Sequence, residues 1–197
     1  MKKTLLVVAI VFSSSLASAQ KVELAPFYGR QFGGTIDVAR GKLLIPASGS
    51  WGFTLDVKVT DEGFVEFLYS RQDTTMEFQQ GGLGPSQELF DVAVEYYQFG
   101  GGLEFGDGAA RPFIALGVGA TRLAAKPEEL GSEWRFSMSA GGGIKLMANE
   151  HIGFRLEGRL LLPFYGGAIS IGGGHTVVGG WITTAQGNLN AGLIIGF

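Results

Sequence analysis

From Gln186 to Phe197 the chain alternates with a period of two. Leu189, Ala191, Leu193, Ile195 and Phe197 fall on one face. Gln186, Asn188, Asn190 and Gly192 fall on the other, with Ile194 as the apolar exception. Side chains of a strand point alternately to its two faces, so this segment reads as a strand with one oily and one polar side. The same rhythm recurs along most of the 197 residues. Mean hydropathy is +0.23 and charged residues make up 17 %, below the usual quarter. Yet no internal apolar run reaches the ~18 residues of a membrane helix. The apolar residues are dispersed along one face of each strand.

Seven further segments carry the pattern. The first, Lys21 to Gln31, sets Leu24 and Tyr28 against Glu23, Phe27 and Gly29; Pro26 lacks an N–H, and a local bulge is expected there. The second, Ser50 to Val59, alternates Trp51, Phe53, Leu55, Val57 and Val59 with Gly52, Thr54, Asp56 and Lys58. The third, Phe64 to Asp73, sets Val65, Phe67 and Tyr69 against Glu66, Leu68 and Ser70. The fourth, Leu89 to Gly101, sets Val92, Val94 and Tyr96 against Asp91, Ala93, Glu95 and Tyr97, and its parity breaks at Gln98-Phe99-Gly100, where a second bulge is expected. The fifth, Arg111 to Leu123, the sixth, Trp134 to Met147, and the seventh, Ile152 to Leu162, follow the same rule.

Connections alternate long and short. The long ones are Phe32–Gly49, Thr74–Glu88, Ala124–Glu133 and Pro163–Ala185; the short ones lie near Thr60–Gly63, Glu104–Ala110 and Ala148–His151. Trp51, Trp134 and Trp181 stand at the long-loop ends of their strands, and Phe64, Phe105, Phe113 and Phe197 at or near the short-turn ends. Long external loops, short turns at the other end and two aromatic girdles are the pattern of a membrane barrel. The expected fold is therefore all-β: an eight-stranded antiparallel up-and-down transmembrane β-barrel with four long external loops and short periplasmic turns.

The closing strand, with Leu189, Ala191, Leu193, Ile195 and the terminal Phe197, resembles the last strand of bacterial outer-membrane β-barrels. That resemblance implies recognition by the barrel-assembly machinery. Residues 20–197 as a whole resemble the small eight-stranded group that includes OmpA-, OmpX- and OmpW-like proteins. The implied setting is the outer membrane of a Gram-negative cell, as a monomer among lipid and lipopolysaccharide, with a structural or surface-interaction role. Residues 1–19 read as a signal peptide: Lys2 and Lys3, the apolar Thr4 to Phe12, then Ala17-Ser18-Ala19 as a small-x-small cleavage site. Without Lys2 and Lys3, 13 basic residues face 18 acidic ones, which gives no electrostatic case for nucleic acid. The absence of cysteine means that disulfides do not hold the exported fold.

If the oily face meets lipid, the polar face fills the barrel. It brings Glu23, Asp56, Glu66, Asp91, Glu95 and Glu157 together with Lys58, Arg135, Lys145, Arg155 and Arg159. An eight-stranded barrel is only wide enough for its own side chains, and unpaired charges there are costly. A cross-lumen ion-pair network centred on Arg155 and Arg159 is expected, with room left by Ala115, Gly117, Gly119, Ser137, Ser139, Gly141 and Gly143. No catalytic constellation emerges. The two histidines stand in His151-Ile152-Gly153 and His175-Thr176-Val177, without a paired nucleophile. Neither a metal nor a cofactor is expected. The rival function, passage of small hydrophobic solutes in the OmpW-like manner, needs an apolar pocket under the loops, to which Leu43, Leu44 and Ile45 are assigned. A soluble lipocalin-like carrier is the third reading.

Overall fold

A computed structural model describes residues 21–38, 41–80, 84–126, 131–166, 181–183 and 185–197. The segment read as a signal peptide and residues 167–180, with His175, lie outside the described residues. The elements are β1 (Val22–Gln31), β2 (Gly34–Val38), β3 (Gly41–Ile45), β4 (Ser48–Lys58), β5 (Gly63–Gln80), β6 (Ser86–Glu104), β7 (Ala110–Ala125), β8 (Ser132–Met147), β9 (Ile152–Gly166), β10 (Trp181–Thr183) and β11 (Gln186–Gly196). Every pairing is antiparallel. Eight strands form the ring β1-β4-β5-β6-β7-β8-β9-β11, which closes where β11 pairs with β1. Closure leaves no free edge in the ring, which is the condition for strands to cross a bilayer.

The wall is apolar outside and polar inside. Leu116 is 68 % exposed, Leu189 58 % and Phe197 73 %, and Ile114, Val118, Phe136, Leu156, Leu160 and Leu193 are also exposed. Inside, Lys145, Arg155, Arg159, Glu66 and Asp56 are buried. A soluble barrel arranges these the other way round, and an apolar surface this continuous belongs against lipid. Ile194, the apolar exception of the last strand, points inward and is fully buried.

Two sequence expectations about irregularities fail. Pro26 produces no bulge: β1 keeps one register with β4 throughout. Its ladder with β11 omits Ala25 and Pro26 and resumes in the same register at Phe27↔Gly192. The missing N–H costs rungs on one side and displaces nothing. The ladders through Gln98-Phe99-Gly100 are likewise unbroken on both sides of β6. The register shift in this part of the sheet lies higher, where Met76↔Phe90 is followed by Glu77↔Glu88 and Leu89 is the extra residue.

Much of what reads as loop is strand. β5 and β6 run on together to Gln79↔Ser86, the first long connection folds into the β2–β3 hairpin, and β3 pairs with the upper part of β5. β10 extends the wall beside β9. Beyond the lipid these strands have no oily outer face to present, so the oily-outward alternation that marks a strand in the sequence is lost while the backbone hydrogen bonding continues.

Candidate functional site

The lumen is built in layers. Nearest the short turns, Lys145 on β8 reaches Glu23 on β1 (2.5 Å), Asp56 on β4 (3.0 Å) and Glu104 on β6 (3.1 Å). Glu104 also accepts from Lys58 (2.9 Å) and Arg111 (3.2 Å). Against this layer pack Phe64 and Phe113, with ring centroids 6.3 Å apart; the Lys145 ammonium stands 4.8 Å from the Phe64 ring centre. Both rings were expected in the lower aromatic girdle. They instead face inward and are buried, where the aromatic faces receive cations that have left water. Phe105 and Phe197 remain exposed at that end.

Above comes the Arg155–Arg159 layer. Arg155 donates to Asp56 Oδ2 (2.7 Å), Thr54 Oγ1 (3.2 Å), Glu66 Oε2 (2.6 Å) and Glu157 Oε2 (2.9 Å), and its guanidinium lies 4.3 Å from the Phe113 ring centre. Arg159 donates to Glu66 Oε1 (2.7 Å), Glu157 Oε1 (2.5 Å) and Ser139 Oγ (3.3 Å). Glu66 and Glu157 each bridge both arginines. A Cβ on Gly141 would sit 2.8 Å from Glu157 Oε1 and 3.1 Å from Arg159 Nε, so the bare glycine leaves space for this pair. Gly143 serves another end: a Cβ there would meet the backbone of β9 at Leu156.

A layer of neutral amides follows. Gln31 donates to Gln186 (2.9 Å), Tyr96 donates to the same Gln186 oxygen, Asn188 donates to Gln31 and Ser50 (3.3 Å each), and Gln98 donates to Ser137 (2.6 Å). Above these the lumen becomes apolar: Ile45, Met76, Val92, Val94, Tyr96 and Leu161 form one cluster, with Leu43, Phe90 and Leu123 packed on it. Leu43 and Ile45 thus meet in the upper lumen. Leu44, between them on β3, belongs to the opposite face and is not part of the cluster.

The site residues expected in the lumen divide. Asp56, Lys58, Glu66, Lys145, Arg155, Glu157 and Arg159 are brought together. Arg135 sits at the upper end of β8, ion-paired with Glu133. Asp91 and Glu95 are not in the lumen. Asp91 is exposed on the outer side, accepting from Thr75 Oγ1 (3.3 Å). Glu95 faces outward, where Arg71 (3.0 Å) and Arg122 (3.1 Å) cover it. The cause is that β6 rises past the lipid. Along one unbroken strand the inward set runs Val92, Val94, Tyr96, Gln98, Glu104, and the outward set Ala93, Glu95, Tyr97, Phe99, Leu103. Glu104 and Arg111 are partners that the sequence reading missed. Steps of two from Gln98 reach Glu104, which the expected strand end at Gly101 concealed.

Outside, Trp51 and Trp134 are about half exposed, and Trp51, Tyr69, Tyr97 and Trp134 form a run of rings with centroids 5.9, 5.1 and 5.5 Å apart. β10 begins at Trp181. Leu189, Ala191, Leu193, Ile195 and Phe197 all face outward. Two shallow grooves lie on this outer wall, sharing Gly158 and Leu189; one is also lined by Ala140, Gly142 and Gly187, the other by Tyr28, Ile144 and Leu156.

A closed antiparallel ring of eight strands, oily outside and charged inside, defines the class: this is the fold of the small outer-membrane β-barrels. Solved structures agree. The outer membrane protein OprG from Pseudomonas aeruginosa superposes with a TM-score of 0.62 at 14 % identity, covering 91 % of this chain and 96 % of that one. Neisserial surface protein A gives 0.56 at 11 % identity, covering 91 % and 98 %. The N-terminal β-barrel domain of Pseudomonas aeruginosa OprF gives 0.51 at 12 % identity, covering 90 % and 97 %. The sequence matches no family model and no curated protein.

Proposed function

We propose that this chain is a non-enzymatic outer-membrane barrel with a structural or surface-interaction role, plugged by its own side chains. One observation carries the reading. Three ties cross the lumen, each joining strands that stand opposite in the ring: Lys145 on β8 to Asp56 on β4, Arg155 on β9 to Glu66 on β5, and Tyr96 on β6 to Gln186 on β11. Ties along three different diameters leave no straight path for a hydrated ion. On this reading residues 1–19 are removed after Ala19. The chain then sits as a monomer among outer-membrane lipid and lipopolysaccharide, and Leu189, Ala191, Leu193, Ile195 and Phe197 are read by the barrel-assembly machinery. The contact role falls to the long-loop end.

Purified barrel in a planar bilayer is expected to show no steady single-channel current. Steady currents would overturn the plugged reading. A second reading, passage for small hydrophobic solutes, is supported by the apolar upper lumen around Ile45, Met76, Val94 and Leu161. Uptake of an apolar solute by proteoliposomes that pass no ion current would favour it.

A further inference from the structure

Trp51, Arg71, Glu95, Arg122 and Trp134 form one rung of the wall: each is the direct cross-strand partner of the next, from β4 to β8. All five face outward. Glu95 is nearly enclosed there, at 4 % exposure. Its Oε1 accepts from Arg71 (3.0 Å) and the Tyr69 hydroxyl (3.3 Å), and its Oε2 from Arg122 (3.1 Å) and the Tyr97 hydroxyl (3.5 Å). Arg71 also forks onto Asp73 (3.2 and 3.0 Å), whose Oδ1 is 3.4 Å from Lys126 Nζ. The result is a chain of alternating charge, Lys126–Asp73–Arg71–Glu95–Arg122, laid on the outside of a barrel whose wall below is apolar.

The two carboxylates hold the guanidiniums side by side and offset their mutual repulsion. Of the five N–H groups on each guanidinium, Arg71 commits three to these carboxylates and Arg122 one. The side chains of Arg71, Arg122 and Lys126 remain 31 %, 37 % and 47 % exposed. Asp91, higher on β6 on the same face, is bonded to Thr75. The Arg122 guanidinium lies 5.9 Å from the Trp134 ring centre. Tryptophan marks the level where acyl chains give way to headgroups, so the cations stand at headgroup height, with planar donors suited to phosphate oxygens.

We propose that this rung docks the phosphorylated headgroup of a lipopolysaccharide molecule, its phosphates on Arg71, Arg122 and Lys126 and its acyl chains against the apolar wall beneath Tyr69 and Tyr97. The inference rests on the outer-membrane reading, which puts the long-loop end in the leaflet that carries phosphorylated glycolipid.

The test titrates the purified barrel, in uncharged detergent, with fluorescently labelled bisphosphorylated lipid A. The same lipid stripped of phosphate and phosphatidylglycerol serve as comparisons. Every sample is first checked for the heat-dependent gel shift of a folded barrel. Saturable binding of lipid A is expected. Arg71→Gln with Arg122→Gln should weaken it about thirtyfold, and Lys126→Gln, a change at an exposed side chain, about fivefold. Dephosphorylated lipid A should bind as weakly to the unaltered barrel as lipid A does to the double variant. An unchanged Kd in the variants, equal binding of the dephosphorylated lipid, or equal binding of phosphatidylglycerol would each overturn the site. If the double variant does not fold, Lys126→Gln and the dephosphorylated lipid still decide. A folded barrel in the outer membrane that ignores phosphate removes the docking site alone; a chain found soluble in the periplasm removes the reading beneath it.

Discussion

Arg155 shows how a single side chain is specified by the lumen. Its guanidinium is bonded to Asp56, Glu66 and Glu157 and lies over Phe113. Truncation would leave carboxylates buried and short of a partner, which is the costly way to break a buried pair. Arg155→Ala is therefore expected to destabilise the barrel by about 3–5 kcal/mol in urea titrations of the folded, heat-modifiable form. Arg71→Gln, on the half-open outer wall, should cost about 0–1 kcal/mol in the same measurement. Equal losses at both positions would show that the lumen does not desolvate Arg155. At this scale the sequence was informative where one cause acts. Arg155, Glu157 and Arg159 alternate with Phe154, Leu156, Gly158 and Leu160 because lipid lies on one side only. Their partners were less legible: Glu104 and Arg111 join the network from positions read as turn and strand end.

At the scale of elements, β1 and β4 are already joined without the hairpin between them. Gln31 pairs with Ser48, and between them the chain forms β2 and β3, with β3 paired to the upper part of β5. Two positions opposite each other in a ladder can be closed by a two-residue Asn-Gly turn. Replacing residues 32–47 by Asn-Gly should therefore leave a barrel that still shows the heat-dependent gel shift, with its thermal midpoint lowered through loss of Leu43 and Ile45 from the upper apolar cluster. Loss of the shift would mean that the hairpin is needed to close the ring. β6 changes its surroundings along its length. Its parity break is no bulge. The environment reverses while the strand stays regular: below Gln98 lipid is outside and polar groups are inside, and above it headgroups and water are outside and the apolar cluster is inside. Reading oily as outward therefore misplaced Asp91 and Glu95.

For the whole molecule, the ring order decides which side chains can meet. The cross-lumen ties depend on β8 facing β4, β9 facing β5 and β6 facing β11, which follows from closure by β1 and β11. The same closure turns the oily half of every strand toward the surroundings. The chain is expected in the outer-membrane fraction of the cell that makes it, migrating differently on gels before and after heating. A protein recovered from the soluble periplasm without that shift would contradict the placement of Leu116, Leu189 and Phe197 against lipid.

The residues alone determined the eight strands of the ring, the alternation of long and short connections, and the inward and outward sets wherever a strand crosses lipid, because a period of two under one strong solvent contrast admits a single assignment. Tertiary structure alone decided where that contrast ends on each strand, how the long connections continue as β2, β3 and the tops of β5 and β6, and which charge meets which. Those depend on strand register and on which staves stand opposite across the lumen, and both are set by contacts between segments far apart in the chain.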